Sequence, residues 1–337
     1  MKKTTVLFLT MTVIMSVLAG CQQNTSTDNS SELNNGVSAI EDAMSQTAEP
    51  TQKEEESEMN DLRNGTFADT VATPDDFPEA YNYGTGKISD YSRNDMLRKM
   101  PEPEENQTVL NTEADPENIQ ALYLWEEGNV PAKTKFTENM TGYFDDYDFR
   151  PYVTAIPVRE GVKAKGAVVL MAGGAYQFRG NYTDALPTAA ALRELGFQSF
   201  IVDYRLSPYT HEEGALDVAR AVRFIRKNAD IYGIDPDDIA VMGFSAAGMI
   251  YSFYGRLSVG NMDTEWLSEG NLPPTYYVYG TEDPFYNQFE RQYAVISGMG
   301  IQTGRIVLNG WPHGFGSDGG WVRDYADWLE NIFNNNN

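Results

Sequence analysis

Residues 235–250 constrain the fold of this 337-residue chain more than any other stretch. They read DPDDIAVMGFSAAGMI, in which a polar turn leads into the apolar run 239–242 and then to a serine among small residues. The apolar run predicts a buried strand, and the residues after the serine can continue as a helix. A sharp strand-to-helix turn exposes a serine hydroxyl, so Ser245 is the candidate nucleophile. Ala247 takes the place of the second glycine of a GxSxG pattern, and alanine is small enough for the turn.

A serine nucleophile needs a base that removes its proton, and histidine is the usual base near neutral pH. The chain has two histidines, His211 and His313. His313 lies in a glycine-rich loop that directly follows the last predicted strand, and functional residues are frequent in such loops. His211 precedes an amphipathic helix, where a surface or capping role is expected. His313 is therefore the candidate base.

The base in turn needs a carboxylate that fixes its tautomer and stabilises the imidazolium. Asp283 follows a predicted strand and is the candidate acid, with its neighbour Glu282 and the more distant Asp318 as alternatives. Because the carboxyl ends of parallel strands meet at one edge of a sheet, we expect Asp283 beside the serine turn. The chain order serine, acid, histidine is that of α/β-hydrolases.

The oxyanion that forms during acyl transfer needs two or three N–H donors. Residues 172–176 read AGGAY and follow an earlier predicted strand, so Gly174 and Ala175 can present backbone amides in a tight loop. Ala246, the residue after the candidate nucleophile, supplies a further amide. These three N–H groups form the predicted oxyanion hole. The arrangement implies no metal ion and no organic cofactor.

The N-terminus has the pattern of a secretory signal. Two lysines precede the apolar run 6–18, which is short for a bilayer span, and the sequence LAGC ends at Cys21. This ending resembles the lipobox of bacterial lipoproteins, in which the cysteine is lipidated and becomes the mature N-terminus. The resemblance implies a signal peptide over residues 1–21 and an extracytoplasmic protein that is lipid-anchored to the bacterial cell membrane. Cys21 is the one cysteine of the chain, which excludes an intrachain disulfide and a cysteine-rich metal site.

Residues 22–118 are predicted to lie outside the catalytic domain. Residues 22–76 are polar with few large apolar side chains, which predicts a disordered tether. Residues 77–116 hold tyrosines that can pack on a domain, but also prolines and acidic residues that favour a loose wrap. Between Asp28 and Glu117, 22 acidic residues stand against 6 basic ones, so most of the formal charge of −24 lies here. The chain has no basic patch, which argues against nucleic-acid binding.

Residues 119–337 are predicted to form an α/β catalytic domain. The sequence predicts strands over 121–125, 150–158, 166–171, 197–204, 239–242, 274–279 and 305–308. It predicts helices over 183–195, 212–228, 285–299 and 321–333, besides the helix after the serine. Strands that alternate with helices form a mostly parallel, doubly wound sheet.

Three stretches carry a resemblance to a known family. Residues 203–208 (DYRLSP) resemble its YRLAP segment, the AGGAY loop resembles its PGGGY loop, and residues 233–248 resemble its GIDPxxIAVMGFSAGG block. Residues 122–328 are thus similar to α/β-hydrolases of the esterase/lipase group that includes acetyl-xylan esterases and other short-chain carbohydrate esterases. The resemblance implies the α/β-hydrolase fold and a serine triad, without identifying the ester.

One departure from this group concerns the link between the serine helix and the strand before Asp283. Members of the group carry a further strand and a cap there, whereas residues 255–273 form a short, polar, glycine-containing connection. Either one strand of the sheet is absent or another segment replaces it. With a short or missing cap, we expect an open, shallow site that favours small acyl groups on large substrates.

These features predict a serine carboxylesterase that hydrolyses short-chain, acetyl-type esters, carried by a polysaccharide or a small molecule. Two other interpretations stay open. The first is a serine peptidase of the same fold, although residues 22–118 show no sign of the propeller-sized domain of oligopeptidases. The second is a non-catalytic glycan-binding lipoprotein on a hydrolase scaffold, which Ala175, Ala247 and the missing strand support.

Overall fold

The computed structural model of the chain describes residues 6–11, 71–72, 98–103, 120–138, 145–251, 257–258, 261–262 and 272–336. Its strands are β1 Val6–Met11, β2 Val71–Ala72, β3 Gln120–Tyr123, β4 Tyr152–Ile156, β5 Ala167–Met171, β6 Gln198–Asp203, β7 Ile239–Phe244, β8 Leu257–Ser258, β9 Asn261–Met262, β10 Thr275–Gly280 and β11 Thr303–Leu308. Its helices are α1 Leu186–Glu194, α2 His211–Lys227, α3 Ala229–Tyr232, α4 Ala246–Tyr251, α5 Tyr286–Gly298 and α6 Trp321–Asn336. A π-helical turn, Asn181–Ala185, precedes α1.

Nine strands form one sheet in the order β2-β11-β10-β1-β7-β5-β6-β4-β3. β4 pairs antiparallel with β3 and with β6. The other described pairings in this sheet are parallel. The short strands β8 and β9 pair with each other. The predicted fold, a mostly parallel α/β sheet wound on both faces, is confirmed.

Helices cover both faces of the sheet, as β5 illustrates. Val168 and Leu170 lie in a core shared with α1 and α6, whereas Ala167, Val169 and Met171 lie in a second core shared with α2. All five residues are fully buried. This burial on both faces explains why the strand is a continuous apolar run rather than an alternating one.

The position between β7 and β10 is taken by β1. Val6–Met11 pairs in parallel with the whole of β7 and with part of β10. Of the two alternatives that the short connection left open, the sheet therefore shows the second, in which another segment replaces the strand. Two neighbouring parallel strands leave a row of unpaired N–H and C=O groups between them, and an apolar extended segment satisfies these groups.

The strand β1 belongs to the apolar run that the sequence analysis assigns to the signal peptide. A chain processed at Cys21 lacks Val6–Met11, so one molecule cannot be processed there and also contain β1. Cys21 itself lies outside the described residues. No helix in the described part of the chain has the length and apolar character that a membrane crossing requires.

Two further N-terminal pieces meet the domain. Val71–Ala72, inside the segment predicted as a tether, pairs with the edge strand β11. Met100 is buried in the core beside α1, and its carbonyl accepts a hydrogen bond from the Tyr152 hydroxyl at 3.1 Å. Arg98 lies over the ring of Tyr182. The described part of residues 77–116 thus packs against the domain, while the remainder lies outside the described residues.

Candidate active site

Ser245 occupies the predicted turn between β7 and α4. Its backbone has φ of +52°, in the left-handed region that non-glycine residues rarely adopt, and the residue is 5% exposed. Backbone strain of this kind occurs where a fold holds a residue in a required orientation. The sharp turn that the sequence predicted is therefore present.

The turn accommodates Ala247, which stands where the GxSxG pattern has its second glycine. Ala247 is fully buried and packs in the core shared with α2. A side chain at Gly243 would lie 2.8 Å from the backbone of Ala247, so the strand and the helix approach closely at Gly243. The glycine that this approach requires is thus present, and the methyl group of Ala247 fills core space instead of obstructing the turn.

His313 and Asp283 are brought together as predicted. The ring Nδ1 of His313 lies 2.8 Å from Oδ2 of Asp283, and both side chains are almost fully buried. The other carboxylate oxygen of Asp283 accepts the N–H of Phe285 at 2.8 Å. The second ring nitrogen, Nε2, is buried and has no hydrogen-bond partner among the described residues. With Nδ1 donating to a carboxylate, Nε2 carries the lone pair that a general base needs.

The loops that carry the acid and the histidine are joined by backbone hydrogen bonds. The N–H of Glu282 donates to the carbonyl of Trp311 at 3.0 Å, and the N–H of Gly310 donates to the hydroxyl of Thr281 at 2.8 Å. A side chain at Gly280 would collide with the Trp311 carbonyl. This close fit fixes the position of the histidine loop on the end of β10.

The alternative residues do not take these places. Glu282 is exposed, so it does not supply the carboxylate at the histidine ring. Asp318 is buried in the histidine loop, but the ring bonds Asp283 instead. His211 begins α2, whose cap is Thr210 rather than the histidine, and its ring stacks at 4.0 Å on Tyr176. Burial lowers the pKa of His211 from its ordinary value.

The directions of the predicted oxyanion donors follow from hydrogen bonds inside the AGGAY loop. The carbonyl of Gly173 accepts the N–H of Gly180, and the carbonyl of Gly174 accepts the N–H groups of residues 177 and 178. In a trans peptide the N–H points opposite to the preceding C=O. The N–H groups of Gly174 and Ala175 therefore point out of the loop, and they have no hydrogen-bond partner among the described residues.

This loop lies against the serine turn. A side chain at Gly173 would lie 2.8 Å from Cβ of Ser245. The hydroxyl of Tyr176 donates to the carbonyl of Ala246 at 2.5 Å, which fastens the loop to the first residue of α4. The N–H of Ala246, at a helix start, has no partner within the helix. The oxyanion loop thus lies beside the serine turn, and the N–H of Ala246 directly follows Ser245 in the chain.

Strain and glycine placement in the loop point to a fixed shape. Gly174 has φ of +141°, and a side chain there would collide with the carbonyl of Phe178. Ala175 and Tyr176 have φ of +53° and +60°, which costs of order 1–3 kcal/mol for each such residue. The alanine in place of a family glycine thus adds strain while leaving the backbone N–H in place.

Sequence reasoning missed the arginine at the end of this loop. Arg179 is buried, and it donates to both oxygens of Asp145 and to Asp203 at 3.1 Å. A fourth bond joins it to the carbonyl of Tyr204 at 2.8 Å. Burial raises the pKa of Asp203 to about 6, against the opposing effect of the Arg179 charge. The sequence signal for this cluster was limited to charged residues next to apolar ones, such as Asp203 at the end of an apolar run.

The motif arginine of residues 203–208 has a different function. Arg205 donates to both oxygens of Asp217 on α2 at 2.8 Å, and further to the carbonyls of Pro131 and Glu213. All of these contacts lie within the scaffold. The described residues contain no group of three or more histidine, cysteine or acidic side chains that is suited to a metal ion.

Comparison with known proteins shows similarity to esterases over part of the chain. Residues 156–285 match the family model BD-FAE. An acetylxylan esterase of Xylanibacter ruminicola is 32% identical over 92 residues, which are 27% of this chain and 19% of that protein. Esterase LipQ of Mycobacterium tuberculosis is 35% identical over 80 residues, 23% of this chain and 19% of that protein. The chain thus matches about a fifth of the length of these curated relatives.

A solved structure extends the likeness beyond the matched segment. The acetyl ester-xyloside bifunctional hydrolase from Caldicellulosiruptor lactoaceticus superimposes with a TM-score of 0.50 at 19% identity, covering 68% of this chain and 98% of that chain. At this identity the likeness establishes the fold. Together with the family match, which is limited to residues 156–285, it shows that the chain has the α/β-hydrolase fold.

Proposed function

We propose that the protein is a serine carboxylesterase that hydrolyses short-chain, acetyl-type esters on polysaccharide. The observation that carries this proposal is the His313–Asp283 pair at 2.8 Å, with a buried Nε2 on the histidine that has no hydrogen-bond partner in the described part of the chain. A general base at this position gives a serine hydroxyl the nucleophilicity that it lacks on its own. The strained Ser245 turn supplies that hydroxyl at the end of β7, which runs parallel to the strands before Asp283 and His313.

The reaction follows from these groups. The Oγ of Ser245 attacks the ester carbonyl carbon while Nε2 of His313 takes its proton, and the Nδ1–H donates to Asp283 throughout. The carbonyl oxygen becomes an oxyanion that accepts hydrogen bonds from the N–H groups of Gly174, Ala175 and Ala246. Collapse expels the alcohol, which takes the proton from His313. A water molecule then cleaves the acyl-enzyme by the same steps and releases the carboxylic acid.

The acyl preference rests on the connection between α4 and β10. Residues 252–274 are too few to hold both a further sheet strand and a cap, and β8 and β9 already use part of them. A deep acyl pocket needs apolar walls, whereas the apolar residues of this connection are scattered among polar ones in the sequence. The acetylxylan esterase to which the chain is similar supports an acetylated polysaccharide as the substrate class.

Purified protein tests the proposal with p-nitrophenyl acetate and with acetylated xylan, by following nitrophenolate and acetate release. We expect turnover of both, and none above background for Ser245→Ala. Turnover that persists in Ser245→Ala contradicts the serine mechanism. Binding to acetylated xylan with no turnover favours the glycan-binding alternative, although an alanine at position 175 supplies the same backbone N–H as a glycine.

We further propose that the protein is made as a lipoprotein anchored through Cys21, on the support of the charged start, the short apolar run and the LAGC ending. Replacement Cys21→Ala is expected to release the protein from the membrane fraction or to leave it unprocessed. Mass spectrometry of the mature N-terminus provides the measurement. A Cys21→Ala variant that is trimmed at the same site and stays membrane-bound contradicts the proposal.

A further inference from the structure

Asp184 is a buried carboxylic acid directly beneath the loop that carries Gly174 and Ala175. It belongs to the π-helical turn Asn181–Ala185 and is 3% exposed. Its Oδ2 accepts the N–H of Gly173 at 2.9 Å, and its Oδ1 receives a longer contact of 3.4 Å from the Thr183 hydroxyl. The first amide of the loop is thus bound to this carboxyl group.

The contacts of Gly173 place this carboxyl group next to the reacting serine. A side chain at Gly173 would lie 2.8 Å from Cβ of Ser245 and 3.2 Å from Oδ2 of Asp184. The glycine is therefore held between the two residues. Any movement of the carboxyl group moves the Ala172–Gly173 peptide, which directly precedes the peptide that carries the Gly174 N–H.

The same turn also touches the histidine loop. Gly316 follows His313 by three residues, and a side chain there would collide with the carbonyl of Thr183 and lie 3.7 Å from Oδ1 of Asp184. Gly316 has φ of +53°, a conformation that suits glycine. The turn that holds Asp184 is thus packed between the predicted oxyanion loop and the loop of the predicted base.

The hydrogen bond to Gly173 does not by itself require an ionisable side chain at position 184. An asparagine or serine oxygen accepts one amide N–H equally well without the cost of a buried charge. Burial raises the pKa of Asp184 to about 7, with the Gly173 and Thr183 bonds acting against that rise. The residue therefore reduces stability near neutral pH, which is common for groups that serve an active site.

We infer that Asp184 is a positioning residue of the oxyanion site, which fixes the Gly173 peptide so that the N–H groups of Gly174 and Ala175 meet the substrate oxyanion. The inference rests on the proposed esterase function. It assigns Asp184 no contact with the substrate and no proton transfer. Its effect is on the alignment of donors that act mainly in the transition state.

A sulfur-for-oxygen substitution in the substrate isolates this effect. A thiono ester places a larger sulfur, which is a weaker hydrogen-bond acceptor, where the oxyanion forms. An aligned oxyanion site therefore favours p-nitrophenyl acetate over p-nitrophenyl thionoacetate, whereas a misaligned one loses that preference. The measured quantity is the ratio of kcat/KM for the two esters, in the wild type and in Asp184 variants.

For Asp184→Ala we expect kcat on the oxygen ester to fall about 10- to 100-fold with little change in KM, and the ratio to fall about tenfold. Asp184→Asn keeps an acceptor for the Gly173 N–H, so it should recover most of the ratio. Thr188→Val is the matched control: Thr188 is fully buried on α1, and its hydroxyl has no hydrogen-bond partner among the described residues. Its ratio should equal that of the wild type.

A second variant keeps the test independent of how well the Asp184 variants fold. A methyl group in Gly316→Ala would collide with the Thr183 carbonyl and displace the turn that holds Asp184, without changing the Asp184 side chain itself. This variant should therefore also lower the ratio. Equal losses on both esters, with the ratio unchanged in all variants, would show that Asp184 is merely structural and would overturn the inference. Absence of turnover by the wild type instead contradicts the proposed function itself.

Discussion

The two sides of the serine strand β7 are built in different ways. On one side lie β5 and β6, which come from one continuous stretch of chain and carry the loop of Gly174 and Ala175. On the other side lie β10 and β11, which carry the acid and histidine loops. Within the sheet they are joined to β7 through β1, which comes from the start of the chain. The candidate site therefore joins a half of local origin to a half whose placement depends on a distant segment.

The polar contacts of the two halves differ as well. The oxyanion side is held by buried charged groups, with Arg179 bound to Asp145 and Asp203, and with Asp184 on Gly173. On the acid side, Asp283 is hydrogen-bonded to the ring of His313, and a separate buried ion pair joins Arg305 to Glu290 at 2.7 Å. This arrangement shows that one half is fixed by its own side chains, whereas the other also needs a strand from elsewhere.

The largest expected effect comes from removing the two proposed reacting groups, Ser245 and His313. Ser245→Ala and His313→Ala should each lower kcat on the order of 10⁶-fold, and the double variant should be little slower, because the residues act as one unit. Steady-state kinetics on p-nitrophenyl acetate measures this. His211→Ala is the control, since it removes the other histidine, and its rate should stay within a few-fold of the wild type. A strictly additive double variant, or a dispensable His313, contradicts the assignment.

Removal of β1 tests the acid half directly. A chain that begins at Cys21 leaves the facing edges of β7 and β10 unpaired. Each buried N–H or C=O group without a partner destabilises the fold by about 1–3 kcal/mol. Domains are typically stable by only about 5–15 kcal/mol, so we expect a clearly lower free energy of unfolding than for the full-length chain. Urea unfolding followed by circular dichroism measures the loss.

A milder variant of the same strand provides the control. Leu9→Pro removes one N–H from the centre of β1 in the full-length chain, whereas Gln22→Pro makes the same change outside that strand. Only the first should lower the free energy of unfolding. If the chain that begins at Cys21 is stable and active, the position between β7 and β10 does not require β1. Processing of the lipoprotein at Cys21 is then compatible with an active domain.

The acid of the triad provides the next largest effect. Asp283→Asn should lower kcat by about 10⁴-fold, because the asparagine amide favours the wrong tautomer of the histidine ring. Glu282→Gln is the matched control, since Glu282 is adjacent and exposed, and its kcat should change little. A large loss in Glu282→Gln with a small one in Asp283→Asn would reverse the assignment of the acid.

The pH dependence of stability tests the oxyanion half. The pKa of Asp184 is raised to about 7 in the folded protein, so between pH 4 and 7 the native state holds a proton that the unfolded state has lost. This contribution to stability therefore falls as the pH rises to about 7 and is constant above it. Asp184→Asn removes this pH dependence. As the pH rises from 4 to 7, the free energy of unfolding of the variant should therefore increase relative to that of the wild type by at most about 4 kcal/mol.

Denaturant unfolding at several pH values measures the difference between the two proteins. The titratable group that faces Asp184 is Tyr204, whose raised pKa keeps it protonated over this range. All other carboxyl groups are shared, so the difference curve reports Asp184 alone. A difference that does not change with pH contradicts a raised pKa at this position.

The smallest effect concerns the acyl chain. Each methylene buried in an apolar pocket contributes about 0.8 kcal/mol, or roughly fourfold in binding. Because the connection between α4 and β10 lacks the length for a cap, kcat/KM for p-nitrophenyl esters should stay flat or fall from acetyl through butyryl to octanoyl. A steep rise toward octanoyl would show that another segment, such as residues 77–116, provides the wall, and would indicate a lipase.

Most of the local structure was predictable from the sequence. Apart from the short helix α3, which was not predicted, the strands and helices of residues 120–251 and 272–336 occur within a few residues of their predicted positions. Each of these is a periodic or continuous apolar run between turn residues. The π-helical turn before α1 was missed, since it has the same composition as the helix that follows. Neither Tyr176 nor Asp184 had a sequence signal, because a hydroxyl or carboxyl group gains its function from the amide it meets.

The sequence by itself determined the serine turn, the chain order of Ser245, Asp283 and His313, and the alternation of strands and helices. These are properties of neighbouring residues, and local sterics and apolar periodicity decide them. Tertiary structure alone decided which carboxylate meets the histidine, which amides point out of the oxyanion loop, and which segment lies between β7 and β10. Those outcomes depend on contacts between residues far apart in the chain, where the need to pair buried N–H and C=O groups selects the partner.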